Sequence, residues 1–350
     1  MITILFFLSS GLFLGWSLGA NDAANIFGTA VGTKMIKFRT AATICSIFLI
    51  LGAVVSGAGA SHTLGKLGAI DKLAGAFIVA LAAGLTVLWM SKSGLPVSTS
   101  QAIVGAIIGW NFFSKTATDI NALTKILGTW IFSPILSALF AFLLFKLVKY
   151  IVENSKIHLI RLDSITRKGL IVAGAFGAFS LGANNIGNVM GVFINSSPFH
   201  DFQIGNLISF TSVHQLFLLG GIAIAIGVFT YSKRVMMTVG SSIFKLSPIS
   251  ALIVVLASSI VLFLFASKGL ENWLIAHHLP AFPLVPVSSS QSVVGSILGI
   301  SLAKGGRNIN FSILGKISIG WIVTPLASAV IAYIALFFMQ NVFMQDVFVH

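Results

Sequence analysis

Charged side chains are scarce in this chain. Only 8% of its 350 residues are Asp, Glu, Lys or Arg, whereas 57% are hydrophobic. A soluble domain of this length has more charged surface and less apolar surface, so the composition excludes an ordinary soluble protein. The apolar runs do not alternate over about ten residues, which also excludes an outer-membrane barrel. The chain is therefore predicted to be an all-α polytopic membrane protein.

Cysteine and acidic residues are also rare. The one cysteine, Cys45, lies in an apolar run and can form no disulfide within the chain. Seven of the eight acidic residues fall in predicted loops or at span ends, which leaves Asp22 as the one carboxylate at membrane depth. A charge there costs about 2.5–3.5 kcal/mol on insertion scales, so it usually faces a cavity or a bound ion. The alternative is a neutral, hydrogen-bonded Asp22 that packs helices.

Ten apolar runs are long enough to cross a hydrocarbon core, which takes about 20 residues each. They cover residues 2–31, 41–60, 73–90, 96–113, 123–148, 168–194, 204–230, 249–266, 284–303 and 313–340.

The distribution of basic residues predicts the orientation of these spans. With the N-terminus external, sixteen of the 21 Lys and Arg residues fall on one side, which is then the cytoplasm. The five on the external side are Lys66, Lys72, Lys115, Lys125 and Lys268. Most of the net charge of +13 is therefore explained by the orientation of the spans, and no nucleic-acid partner is expected. The predicted location is the cell inner (plasma) membrane.

Two Gly/Asn motifs inside predicted spans are near copies of each other. Residues 18–28 read LGANDAANIFG, and residues 181–191 read LGANNIGNVMG. Gly and Asn are poor helix formers, with Gly costing about 1 kcal/mol relative to Ala. Each helix is therefore predicted to unwind at its motif and to expose carbonyls and amides to a ligand. The alternative, close packing through small residues, leaves four asparagines unexplained, namely Asn21, Asn25, Asn184 and Asn188.

A second pair of motifs carries hydroxyl clusters. Residues 95–105 read LPVSTSQAIVG, and residues 285–295 read VPVSSSQSVVG. Proline suits the first turn of a helix, so the following hydroxyls are expected near free N–H groups at a positive helix end. Two such ends can converge on one anion. Helix capping and interhelical contact are the alternative, but the repetition in matched positions favours the anion site.

A third pair, Lys125 with Trp130 and Pro134 against Lys316 with Trp321 and Pro325, completes an internal duplication. The chain divides into a first repeat at residues 1–150, a cytoplasmic linker at 151–167 and a second repeat at 168–350. Five crossings per half is an odd number, so the second half must be inverted. The predicted fold is two inverted-topology repeats of about five segments each, with discontinuous or re-entrant helices meeting at midmembrane.

These motifs resemble those of the inorganic phosphate transporter (PiT) family, which includes bacterial sulfate permeases. That family carries Gly-Ala-Asn-Asp-x-x-Asn in each inverted half, followed by Pro-x-Ser-Thr-Thr-His, and the resemblance covers essentially the whole chain. It implies ion-coupled uptake of a tetrahedral oxyanion. The residues that it implies for the ion or anion site are Asn21, Asp22, Asn25, Asn184 and Asn188, with Ser98, Thr99, Ser100, Ser288, Ser289 and Ser290 as anion donors.

The chain departs from the family pattern at three positions. Asn185 replaces the usual Asp of the second motif, and the hydroxyl clusters end in Gln101 and Gln291 instead of His. Phosphate carries a proton that a buried carboxylate can accept, whereas fully ionised sulfate offers only acceptors. A polar group left without a partner in a dry site costs about 1–3 kcal/mol. We therefore hypothesise that sulfate is the substrate ahead of phosphate.

The same loss of a carboxylate bears on the coupling ion. A site for several sodium ions is harder to neutralise with one carboxylate, which favours a proton bound by Asp22 over sodium. His214, the one histidine in a predicted span, is a candidate proton relay, although a packing role is the alternative. The residues assigned to the coupling ion are Asp22, Asn185, Gln101, Gln291 and His214.

The expected function is secondary active import, and the expected partners are the inorganic anion, the coupling proton or sodium ion and the lipid bilayer. Sodium- or proton-coupled phosphate transport and an anion channel remain alternatives, and a homodimer is left open. No cofactor or metal is expected. The sequence also lacks a nucleophile with its base and any metal-ligand spacing of the His-Glu-x-x-His kind, so no enzyme is predicted.

Overall fold

The computed structural model describes residues 2–92, 97–155, 157–204, 208–238, 246–306 and 311–349. Helices make up most of it. Their bounds are α1 Ile2–Gly32, α2 Phe38–Ser56, α3 Ala58–Leu67, α4 Leu73–Lys92, α5 Thr99–Ser114, α6 Ile120–Asn154, α7 Leu159–Met190, α8 Ser212–Thr230, α9 Ser232–Thr238, α10 Pro248–Leu264, α11 Lys268–Ala276, α12 Ser289–Ala303 and α13 Phe311–Asn341. A short antiparallel hairpin, β1 Phe202–Ile204 and β2 Ile208–Phe210, precedes α8.

Within the described ranges, seven helices are long and apolar enough to cross a membrane, and the bent pair α10 and α11 makes an eighth span if counted together. The chain is thus an all-α polytopic membrane protein. The helices α5 and α12 have only 16 and 15 residues, which corresponds to about 24 and 22 Å against a hydrocarbon core of about 30 Å. Helices this short fit the expected discontinuous or re-entrant segments.

The predicted unwinding at the two Gly/Asn motifs is wrong. Helix α1 continues through residues 18–28, and α7 continues to Met190 before one 3-10 turn. Their glycines allow close packing: a Cβ on Gly19 would collide with the backbone of α8, and one on Gly182 with the backbone of α2. Most of the asparagines find hydrogen-bond partners on other segments, so the helices need not open to satisfy them.

Three predicted span boundaries also need correction. The span at 204–230 begins only at Ser212, because the hairpin occupies its first residues. The span at 284–303 becomes helical only at Ser289, and the span at 41–60 breaks at Gly57, where a Cβ would collide with Ile186. The linker at 151–167 is mostly helical. The last turns of α6 and the first turns of α7 are polar. They carry the i,i+4 ion pairs Lys149–Glu153 and Arg167–Asp163, both at 3.6 Å.

Matched glycines and prolines of the two halves make reciprocal contacts. Gly105 of α5 lies against Pro325 of α13, and the matched Gly295 of α12 lies against Pro134 of α6. In each case a Cβ would stand 2.6 Å from the proline Cα. The contact thus recurs with the two halves exchanged, as expected for an approximate two-fold relation. The side chain of Lys316, the remaining member of this motif, lies outside the described part of the structure.

We expect Gly295→Ala to lower the melting temperature of the detergent-purified protein. Overpacking against the Pro134 backbone costs about 1–3 kcal/mol, because neither backbone can move away cheaply. The matched control is Gly128→Ala, because a Cβ at Gly128 meets nothing within 4 Å. This substitution should not lower the melting temperature, since alanine avoids the cost of about 0.5–1 kcal/mol that glycine has in a helix. Equal melting temperatures for the two variants would contradict the packing account.

Candidate functional site

The two hydroxyl clusters begin helices α5 and α12, and the two helix starts are in contact. Ser98 and Ser288 are the N-caps, and each side-chain oxygen accepts the N–H of the glutamine three residues later at 3.3 Å. Ser100 Oγ donates to the carbonyl of Val287 at 3.1 Å, which joins the start of α5 to the segment before α12. Two positive helix ends therefore converge in a region shielded from solvent.

The first Gly/Asn motif supplies one side of this region. Asn25 Nδ2 donates to Ser289 Oγ at 3.1 Å, and the Ser289 side chain lies next to the Asp22 carboxylate. Asn21 Nδ2 reaches Asp22 Oδ1 at 3.4 Å. Asp22 is only 2% exposed. The carboxylate thus lies at the junction of α1 and α12, held by neutral donors.

The second Gly/Asn motif builds a closely similar network around Asn185. Asn188 Nδ2 donates to Ser100 Oγ at 2.8 Å and to Asn185 Oδ1 at 2.9 Å. Ser100 Oγ also lies 3.3 Å from Asn185 Oδ1. Each half therefore brings an asparagine and residue 22 or 185 to a serine of the opposite half. The two copies differ in charge, because only the first contains a carboxylate.

Asn184 and Asn21 have different surroundings although their positions match. The Asn184 amide is used by the backbone before α12: it donates to Val285 O at 3.1 Å and accepts the Val287 N–H at 2.7 Å. It therefore positions that segment. Asn21 is half-buried and borders a cavity of about 10 Å³ together with Lys92. A cavity of that size holds about one water molecule.

Several buried polar atoms of this region have no hydrogen-bond partner among the described residues. They are Thr99 Oγ1, Gln101 Oε1, Asn185 Nδ2, Asn188 Oδ1 and Gln291 Oε1. Each such group costs about 1–3 kcal/mol when it is left unpaired, and buried polar groups are normally paired. These atoms lie on three helices, α5, α7 and α12, and they offer a polar ligand donors on Asn185 and Thr99 and acceptors on the glutamines.

The chain matches a family model described as the phosphate transporter family over residues 18–271 and 275–349. It belongs to that family. The resemblance read from the motifs is thereby confirmed, and the chain is a multi-pass permease of this transporter family.

The relatives of this permease are named for different substrates. A candidate phosphate permease of Methanocaldococcus jannaschii is 28% identical over 333 residues, covering 95% of this chain and 97% of the relative. The sulfate permease CysP of Bacillus subtilis is 29% identical over 332 residues, covering 92% of this chain and 84% of the relative. A solved sodium-dependent phosphate transporter has a TM-score of 0.76 at 23% identity, with 96% of this chain and 100% of that chain covered. The last likeness shows that the two share a fold.

His214 lies inside the apolar helix Ser212–Thr230, which is long enough to span a membrane, but at its beginning. His214 lies in the first turn of α8, where its Nδ1 is 2.8 Å from Thr211 Oγ1 and accepts the Thr211 N–H at 3.2 Å. Its ring stacks on Phe210. Helix α8 meets α1 at Ile224, ten residues and about 15 Å further along the helix. The structure therefore makes His214 a helix-capping residue outside the Asp22 network.

The backbone of residues 285–287 contributes to this permease's site and was not among the predicted site residues. Prolines at 280, 283 and 286 keep the segment before α12 extended. Their spacing of three residues is a feature of the sequence from which this extended segment could have been predicted. Pro286 lies two residues before the Ser288 N-cap instead of in the first helical turn. Pro96, its counterpart, lies outside the described residues.

Proposed function

We propose that this protein imports a tetrahedral inorganic oxyanion, sulfate in preference to phosphate, together with protons. The observation that carries this proposal is the buried pair of networks around Asp22 and Asn185. They place hydroxyl and amide donors of both halves at two converging helix N-termini, which is a suitable environment for a multiply charged anion.

The preference for sulfate rests on the neutral side of the site. Asn185 Nδ2 is an unpaired buried donor, and sulfate supplies only acceptors. A carboxylate in that position would repel sulfate and would accept a proton from phosphate. The likeness to the sulfate permease of Bacillus subtilis supports the same choice.

Proton coupling rests on Asp22. It is the one carboxylate of the described network, and a single carboxylate can bind and release a proton as the site alternates between the two sides. The rest of the polar lining proposed for the coupling ion is formed by Gln101, Gln291 and Asn185. Ser290 Oγ lies 3.0 Å from Ser288 Oγ and belongs to the same hydroxyl cluster.

Sodium-coupled phosphate import is the second candidate. The unpaired side-chain oxygens of Gln101 and Gln291 are hard, neutral ligands of the kind that sodium accepts. The Methanocaldococcus jannaschii relative is named for phosphate, and the solved structure of the same fold is named for sodium and phosphate.

Alternating access completes the proposal. The repeats at residues 1–150 and 168–350, joined by the linker at 151–167, would run in opposite directions with the N-terminus external and the linker in the cytoplasm. The reciprocal Gly–Pro contacts support this division, and an odd number of crossings per half would invert the second repeat.

Uptake into proteoliposomes tests the proposal directly. Labelled sulfate and labelled phosphate are offered separately under a proton gradient or a sodium gradient. We expect proton-driven sulfate accumulation that collapses with an uncoupler and that excess phosphate inhibits weakly. Faster phosphate entry without competition by sulfate would reject the substrate, uptake driven only by sodium would reject the coupling ion, and flux that never exceeds equilibrium would indicate a channel.

A further inference from the structure

A second polar cavity, of about 720 Å³, lies between α3, the start of α6 and α11. We call it the lysine vestibule, and its basic lining residues are His62, Lys66, Lys125 and Lys268. Two carboxylates, Asp119 and Glu271, also line it. None of these side chains belongs to the networks around Asp22 and Asn185.

The charge of the lysine vestibule is incompletely balanced. Asp119 is the N-cap of α6 and accepts the N–H groups of Asn121 and Ala122 at 2.8 and 3.0 Å, so its charge already faces a positive helix end. Across the described ranges, which include all eight acidic residues, no carboxylate lies within 4 Å of the three lysines. A concave, low-dielectric surface with excess positive charge concentrates anions.

Only one helix separates the lysine vestibule from the buried networks. One face of α3, including His62 and Lys66, lines the vestibule. The opposite face packs on α7, where a Cβ on Gly187 would stand 2.9 Å from Ser61 Cα. Gly187 lies between Asn185 and Asn188. The Thr63 hydroxyl also donates to the Leu284 carbonyl at 2.6 Å, four residues before the N-cap of α12.

We propose that the lysine vestibule is a second anion site, which binds a divalent tetrahedral oxyanion on the external face before it reaches the buried site. The identity of the anion rests on the proposed function. The side of the membrane follows from the basic residues, because three of the five lysines assigned to the external face line this one cavity.

The kinetic test uses Lys66→Gln, Lys125→Gln, Lys268→Gln and the triple variant in vesicles of known orientation. We expect the triple variant to raise the half-saturating external sulfate concentration about tenfold, with a maximal rate within about twofold of wild type and a weaker dependence on ionic strength. The control Lys115→Gln removes a lysine of the same predicted face that does not line the cavity. An unchanged half-saturation, or an effect on efflux alone, overturns the proposal.

A second test does not need transport. Because Cys45 is buried, His62→Cys provides an accessible thiol within the vestibule. We expect external, membrane-impermeant anionic methanethiosulfonate to react with it about tenfold faster than it reacts in the same variant with the three lysines replaced by Gln, and millimolar sulfate to slow the reaction. Equal rates and no protection by sulfate overturn the vestibule site. Protection in a protein that transports neither sulfate nor phosphate would reject the proposed function alone.

Discussion

Asp22→Asn is expected to abolish gradient-driven accumulation of the anion while the protein remains folded in the membrane. Asp22 is the one carboxylate in the described network, so its loss removes the group proposed to carry the coupling proton. Accumulation should fall by at least about a hundredfold, since a gradient that is no longer coupled performs no work on the anion. Initial uptake and the accumulation ratio under a proton gradient measure the effect.

The structure indicates that the asparagine fits at position 22. Asn185 occupies the matched position in the second half and contacts Ser100 and Asn188 much as Asp22 contacts Ser289. A suitable control is Asp201→Asn, because Asp201 is exposed and accepts the Ser212 N–H at 2.6 Å outside the site. Unchanged accumulation by Asp22→Asn would remove Asp22 from the coupling mechanism.

Asn185→Asp is expected to reverse the substrate preference from sulfate to phosphate. The change introduces a carboxylate next to Ser100 and Asn188 and removes the unpaired amide donor. Sulfate then meets an acceptor that it cannot satisfy, at a cost of about 1–3 kcal/mol, whereas protonated phosphate can donate to it. We expect the ratio of sulfate to phosphate uptake to fall at least about tenfold, since about 1.4 kcal/mol corresponds to a factor of ten.

Competition between the two labelled anions measures this ratio in one preparation. Asn111→Asp is the matched control, because Asn111 is also a buried asparagine but contacts the Leu67 carbonyl and Thr118 away from the site. It should leave the ratio unchanged even if it lowers stability. An active Asn185→Asp variant that retains the wild-type ratio would show that residue 185 does not select the anion.

Much of the architecture could be predicted from local properties. Long apolar runs must become helices in a bilayer because their backbone groups find no water there, and the repeated motifs revealed the duplication. The prediction failed where local propensity conflicted with packing. Gly and Asn disfavour an isolated helix, yet α1 and α7 remain continuous because glycine lets neighbouring backbones approach and asparagine bonds to residues of other segments.

At the candidate site, too, the sequence predicted some features and packing decided the others. Its residue types were predicted, but their partners were not: Asn25 bonds Ser289 across 264 positions, while Asn184 supports a backbone segment. His214 was predicted inside a span, and the structure places it in the first turn of that span, where it caps the helix after the hairpin.

The sequence by itself determined the membrane class, the family motifs, the duplication and the difference between Asp22 and Asn185, since these depend on residue types and their spacing. Only the tertiary structure decided that two helix starts meet, that α1 and α7 stay continuous, and that three distant lysines share one cavity. Such contacts join residues that are far apart in the chain, and the packing of whole helices, not local propensity, determines which of them meet.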